Sequence, residues 1–237
     1  MVHEMNFKDK IGKIDQIYRN LNLRYPNNSH LPTHASVLLI ATVPVKPNCS
    51  IVELGSGIGH VSLVLAKLYE DIKITGIEIQ RELYNFSIFN KESNNIENVE
   101  FINIDARDVS RHFHAESFDF LISNPPHYFE GLKSEKKDRR EARSAESIEI
   151  LGDFVYASKF LLKNKALGCF VIHPYVLSDF LFFLEKNNLK PQHIYIAYGN
   201  KDKQAQLVSV IFRKNGGRNF VIHAPIFFSD WKRQQGL

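Results

Sequence analysis

Ser50-Ile51-Val52-Glu53-Leu54-Gly55-Ser56-Gly57-Ile58-Gly59 is the stretch on which the fold turns. Ser50 to Leu54 reads as a short buried strand, and it runs straight into glycines at every second position. Val61, Val64, Leu65 and Leu68 follow at i, i+3, i+4 and i+7, one helix face, so a helix starts near Gly59. A glycine turn between strand and helix admits a ligand to the backbone with no Cβ in the way, and sets it at the positive helix end. Taken alone, the pattern fits dinucleotide-binding dehydrogenases equally well.

Outward from this turn the same alternation continues. Ile72 to Ile77 reads as a second strand, Leu83, Phe86 and Phe89 as a helix face, Val99 to Ile104 as a third strand and Phe118 to Ser123 as a fourth. A helical face over Ile148, Leu151, Phe154, Val155, Ser158 and Leu161 leads into a strand at Gly168 to His173, then a helix at Leu177 to Lys186. Ile194 to Tyr198 and Leu207 to Arg213 read as an antiparallel pair at the sheet edge, with a short extended piece from Phe220 to Ile226. The expectation is an α/β domain: a mostly parallel sheet covered by helices, with an antiparallel edge hairpin. Residues 46–237 form it, and residues 1–45 are an N-terminal extension shorter than the roughly 50 residues of a small domain. Gly131 to Ser147 mixes Lys133, Lys136, Lys137, Arg139, Arg140 and Arg143 with acidic residues. It reads either as a substrate loop or as a solvated helix laced with ion pairs.

Glu78 ends the second strand, 19 residues after Gly59, where a carboxylate accepts hydrogen bonds from both ribose hydroxyls. An NAD protein has that feature too. Glu53 leans the other way, because an acidic group before the first glycine can meet the amino group of an amino-acid-bearing cofactor, and NAD has no such cation. Asp105-Ala106 follows the third strand, positioned for an adenine amine and its ring, or with Asp105 as a helix N-cap.

Asn124-Pro125-Pro126-His127 follows the fourth strand, at the carboxyl edge where ligands bind in such sheets. The Asn124 amide oxygen and the Pro125 carbonyl can both accept hydrogen bonds from one exocyclic amine. Proline fixes its own φ and restricts the residue before it, which holds both acceptors still. Accepting those bonds draws the nitrogen lone pair out of conjugation and aims it at a methylsulfonium, chemistry that needs orientation more than a strong base. An aromatic residue beyond the prolines stacks on the planar substrate, and either His127 or Tyr128 can take that part. The pair of sites points to an S-adenosylmethionine-dependent N-methyltransferase.

Composition narrows the partners. At 44% hydrophobic and 24% charged the chain is ordinary globular material, and no apolar run approaches the roughly 18 residues of a membrane span. The N-terminus lacks a secretory apolar region, so the cytoplasm is the expected address. Cys49 and Cys169 have no metal or redox spacing and read as buried thiols, and the ten histidines form no metal set. Net charge is +4, but residues 190–237 hold eight Lys or Arg against two Asp, a local +6 that hints at an anionic partner. Lys201, Lys203, Arg213, Lys214 and Arg218 are candidate phosphate contacts.

With these residues in view, the chain resembles the class I Rossmann-like methyltransferases that carry an Asn-Pro-Pro-aromatic motif. Within them it is most similar to the bacterial branch that methylates the exocyclic amine of adenine 37 in tRNA(Val). Thr33-His34-Ala35-Ser36-Val37-Leu38-Leu39, Glu53 to Gly59, Gly76-Ile77-Glu78, Asp105-Ala106, Asn124-Pro125-Pro126, Arg139 to Ala145 and Phe212-Arg213-Lys214 through His223 carry the likeness. It implies a seven-stranded sheet, S-adenosylmethionine as cofactor and an RNA partner, tRNA, with no membrane or metal. It implies cofactor contacts at Thr33, Glu53, Gly55, Ser56, Gly57, Gly59, Glu78, Ile79, Asp105, Ala106 and Asn124, and catalysis at Asn124, Pro125, Pro126, His127 and Tyr128. His34 departs from the family's usual acidic residue, and His127 replaces or displaces its tyrosine. The same device elsewhere serves ribosomal-RNA guanine, DNA adenine and protein glutamine; a non-catalytic cofactor-binding scaffold is the reading outside enzymes.

Overall fold

A computed structural model of the chain describes residues 6–27, 30–125 and 137–232, with the backbone alone at 137–147 and 232. β1 (Ser50–Leu54) lies inside the sheet, flanked by β2 (Lys73–Ile77) and β4 (Phe118–Ser123). The order is β3-β2-β1-β4-β5-β7-β6, with β3 Val99–Ile102, β5 Leu162–Ile172, β6 Leu189–Tyr198 and β7 Ala205–Lys214. β1 to β5 run parallel, and β7 is antiparallel to both β5 and β6.

The sheet has nine strands, not seven. The extra two are β8 (Val221–Ile222) and β9 (Ile226–Phe227), which pair in parallel with β6. They occupy the outer rim of β6, whose N–H and C=O groups would otherwise form an open edge. β6 also begins earlier than the sequence indicates, at Leu189, and carries Pro191 inside it with a register shift between Pro191 and His193. β8 pairs with β6 only from His193 on, so Pro191 lies where that side of β6 has no strand partner among the described residues and its missing N–H is tolerated. β3 stops at Ile102, short of the expected Ile104, as the chain turns toward Asp105.

Strand alternation feeds two cores. Ile51, Phe120, Ile122, Cys169 and Val171 face α1 (Phe7–Asn20), α2 (His34–Thr42), α3 (His60–Leu68) and α4 (Arg81–Ser93). Val52, Leu54, Leu121, Phe170 and Ile172 face α5 (Val109–His112), α6 (Lys137–Leu161) and α7 (Leu177–Lys186). From Lys137 onward the charged segment is the start of α6, so the helical reading holds there.

The first and last described segments are tied to this frame. Ile11 and Ile14 of α1 and the nearly wholly buried α2 join the first core. Between them, the Asn94 side chain exchanges hydrogen bonds with the Asn22 backbone, and Asn90 does the same with Arg24. At the other end, β9 leads into α8 (Phe228–Lys232), where Phe228 stacks on His34 at 4.5 Å between ring centroids. His34 therefore packs against the C-terminal segment.

Register aligns the chemistry. Leu54 pairs with Ser123, Ser123 with Phe170, Ile172 with Val208, and Tyr198 with Ala205. The glycine turn, Asn124, His173 and the hairpin at 199–204 therefore share one edge of the sheet. Strand order reverses between β1 and β4, which is where a crevice opens in sheets of this kind.

Candidate active site

The glycine turn is built on left-handed backbone. Gly55, Gly57 and Gly59 have φ of 69°, 56° and 83°. At Gly59 a Cβ would also lie 2.4 Å from the Phe101 ring, whereas Gly57 faces open space. The Gly55 and Ser56 N–H groups both donate to the Ile77 carbonyl, at 2.9 and 3.0 Å, which curls the turn over the end of β2. There Glu78 is buried, one carboxylate oxygen accepting the Gly57 N–H and the other the Gln80 N–H, each at 2.8 Å. Burial raises its pKa, partly countered by those bonds. Asn103 clamps the strand end by donating to the Glu78 and Ile79 carbonyls at 2.8 and 2.9 Å. Ile79 is 58% exposed, an apolar side chain held beside the carboxylate.

Glu53 is deeper, 2% exposed, on the α1–α4 face. Ser62 Oγ of α3 donates to it at 2.5 Å. Among the described residues no cation partners it, and burial pushes its pKa up to about 8, with Glu78 adding repulsion. Around it stand buried polar atoms without a hydrogen-bond partner among the described residues: Ser56 Oγ, Tyr18 Oη and His60 Nδ1. The other His60 nitrogen lies 2.8 Å from Ser36 Oγ, and burial draws the His60 pKa down to about 4, so the ring is neutral. Thr33 caps α2 above this group, its N–H 3.5 Å from Ser36 Oγ. Tyr18 and His60 are absent from the sequence-derived set. Tyr18 has a local signal, since Phe7, Ile11, Ile14 and Tyr18 follow helical spacing.

Asp105 is a cap. It precedes a 3-10 turn over Ala106–Asp108, and Oδ1 accepts the Arg107 N–H at 2.8 Å. Its other oxygen accepts from the Arg107 guanidinium at 2.9 and 2.6 Å, which holds its pKa below the usual carboxylate range. The carboxylate is thus engaged by Arg107. Ala106 is buried beneath it. From the opposite side of the turn, Phe154 of α6 packs against Gly55.

Asn124 is half-buried and Pro125 buried at the end of β4. Ser123 Oγ donates to the Leu54 carbonyl at 2.9 Å, tying that strand end to the start of the glycine turn. Pro126, His127 and Tyr128 lie outside the described residues. Among the described residues no cluster of three or more His, Cys, Asp or Glu forms a metal site.

This recess suits one kind of ligand. Among the described residues it has a buried carboxyl with no cation beside it for an ammonium, a second carboxylate with spare lone pairs for hydroxyls, an orphaned serine hydroxyl and a turn open at Gly57. Residues 45–207 match the family described as Methyltransferase domain.

The chain belongs to that family.

This methyltransferase is 30% identical over 171 residues to a tRNA1(Val) (adenine(37)-N6)-methyltransferase of Christiangramia forsetii, covering 70% of each chain. It is also 30% identical to a release factor glutamine methyltransferase of Fusobacterium nucleatum, over 67% of this chain but 46% of the relative. A solved structure of a predicted O-methyltransferase from Agrobacterium tumefaciens superposes with a TM-score of 0.67 at 17% identity, over 81% of this chain and 86% of the other, a likeness of fold. The methyltransferase is an S-adenosylmethionine-dependent enzyme, and Glu53, Glu78 and the glycine turn are the residues suited to hold that cofactor.

Proposed function

We propose that this methyltransferase modifies an exocyclic amine of an RNA base, adenine N6 in the tRNA anticodon loop. The observation that carries the reading is the juxtaposition of Asn124 with the glycine turn, through the Leu54–Ser123 pairing and the Ser123 hydroxyl. S-adenosylmethionine, when bound, supplies an activated methyl group on a sulfonium. The chain's own residues do the orienting. Glu53 receives the cofactor's ammonium, Glu78 its ribose hydroxyls, and Ile79 and Ala106 flank its adenine, with Asp105 available once Arg107 gives way. Asn124 and the Pro125 carbonyl accept the two N–H bonds of the substrate amine, so its lone pair faces the methyl group. His127 or Tyr128 stacks on the base.

RNA is favoured over a protein glutamine by extent: the chain spans 70% of the tRNA enzyme and 46% of the release factor enzyme at the same identity. No helix among the described residues is long and apolar enough to cross a membrane, and a tRNA substrate implies a cytoplasmic address. In this reading residues 46–237 are the catalytic unit, and residues 1–45 wall its cofactor recess through Tyr18, Thr33 and Ser36.

Incubation of unmodified tRNA with the protein and labelled cofactor, followed by nucleoside mass analysis, tests this. N6-methyladenosine is the expected product. Label in a release factor glutamine, or in no RNA, refutes it.

A further inference from the structure

His173, Pro174 and Tyr175 end β5 on the same edge as Asn124. His173 caps the 3-10 turn over Pro174–Val176, its Nδ1 accepting the Tyr175 N–H at 3.3 Å, and Pro174 presets the backbone there. Nδ1 as an acceptor leaves the ring proton on Nε2, and burial draws the His173 pKa down. The two rings stack, centroids 4.6 Å apart and planes 21° from parallel. Tyr175 is nevertheless 67% exposed. A backbone cap and a ring stack thus hold an aromatic side chain out in solvent, already ordered, which lowers the entropic cost of docking onto it.

Ser123 pairs with Phe170, so Asn124 is level with Val171. His173 lies one strand over and two residues further out, about 8 Å away at ordinary strand spacing. Beyond it along the edge comes the β6–β7 hairpin, where Lys201 and Lys203 are exposed, with Asp202 between them. The order along the edge is therefore amine acceptors, aromatic platform, cations. Stacking rings beside a basic track are how proteins hold single-stranded nucleic acid.

We propose that Tyr175 stacks a nucleobase adjoining the methylated one in a single-stranded RNA loop, with Lys201 and Lys203 on the phosphates beyond it. This rests on the RNA reading above. A peptide glutamine has no second base to fill the platform, so the surface favours RNA.

Steady-state kinetics of the full chain on an unmodified tRNA(Val) transcript tests it, with Tyr175→Ala and Tyr175→Phe compared. Tyr175→Ala is expected to raise KM for the transcript about five- to hundredfold, the usual range for one lost base stack, with unchanged affinity for S-adenosylhomocysteine. Tyr175→Phe keeps the ring and stays within about twofold of the original protein. The salt dependence of RNA binding keeps its slope in Tyr175→Ala, because no phosphate contact is lost. An unchanged KM in a folded Tyr175→Ala, or equal damage in Tyr175→Phe, overturns the stacking assignment while leaving the RNA reading intact. If the original protein methylates no RNA but does label a glutamine-bearing peptide, the RNA reading itself is wrong, and this proposal falls with it.

Discussion

The Glu78 carboxylate accepts the Gly57 N–H at 2.8 Å, so the residue suited to the cofactor ribose also tethers the glycine turn. Glu78→Ala removes a ligand contact and that tether together. S-adenosylmethionine affinity should fall at least tenfold, about 1.4 kcal/mol. Glu78→Gln, whose amide oxygen still accepts one N–H, should lose less. Calorimetry giving unchanged affinity in a folded Glu78→Ala removes Glu78 from the site.

If Glu53 receives the cofactor's ammonium as proposed, cofactor binding should be proton-linked. With no ammonium beside it, its pKa stands at about 8 against an ordinary 4.5, so near pH 7 it is mostly protonated. An arriving ammonium favours the carboxylate, and binding should release a proton. Affinity should therefore climb from pH 6 to about 7.5, below the range where an α-amino group itself deprotonates at about 8. The sign for stability is opposite: a raised folded pKa stabilises the cofactor-free fold fully below pH 4.5, and that contribution is lost as pH rises through 8. Lys10, drawn down to about 8 by burial, acts in a separate window, adding stability as pH rises from there toward 10.5. Calorimetry in buffers of different ionisation enthalpy counts the protons. Glu53→Gln should release none, and proton release surviving in it would sink the assignment.

Asn124→Ala should abolish methyl transfer while S-adenosylhomocysteine affinity stays within a few-fold, because its proposed role is on the acceptor amine. Single-turnover assays with labelled cofactor measure the first and calorimetry the second. Turnover near the original rate would exclude Asn124 from the chemistry.

Two glycines of one turn should respond differently. Gly57→Ala meets open space and suffers only its φ of 56°, about 1–2 kcal/mol. Gly59→Ala adds a Cβ 2.4 Å from Phe101, and overpacking costs about 1–3 kcal/mol more. Urea unfolding of the cofactor-free variants should rank Gly59→Ala as clearly less stable; equal loss would contradict the close approach.

The basic residues of the last segment divide between two edges of the sheet. Lys201 and Lys203 turn the hairpin on the Asn124 edge, whereas Lys214 is buried at the opposite edge, donating to the Leu162 carbonyl at 2.8 Å and paired with Glu116 at 3.0 Å. Arg213 donates to the Lys165 carbonyl at 2.9 Å on that same far edge, and Arg218 lies just beyond β7. Neutralising Lys201 and Lys203 together should flatten the salt dependence of RNA binding by roughly one to two units, at about 0.7 per contact for single strands. Arg213→Ala should leave that slope alone. A reversed pattern would move the RNA to the other edge.

Periodicity is local, so the sequence by itself determined β1, β2, β4, α3, α7 and the residues at their ends: Glu53, the three glycines, Glu78 and Asn124 each sit next to a strand whose pattern is readable in a few residues. The Phe7, Ile11, Ile14, Tyr18 spacing of α1 is readable in the same way. Strand order is different, since it depends on which edges find each other across the chain. Only the tertiary structure set Asn124 beside the glycine turn, sent Lys201 and Lys203 to the Asn124 edge while turning Arg213 and Lys214 away from it, and wrapped β8 and β9 around β6. It also decided charge. Nothing within the stretch Val52-Glu53-Leu54 says that the carboxyl will be shut from water with a serine hydroxyl and no cation. The pKa near 8 comes from what α1, α2 and α3 exclude around it, and solvent exclusion is a property of the packed molecule.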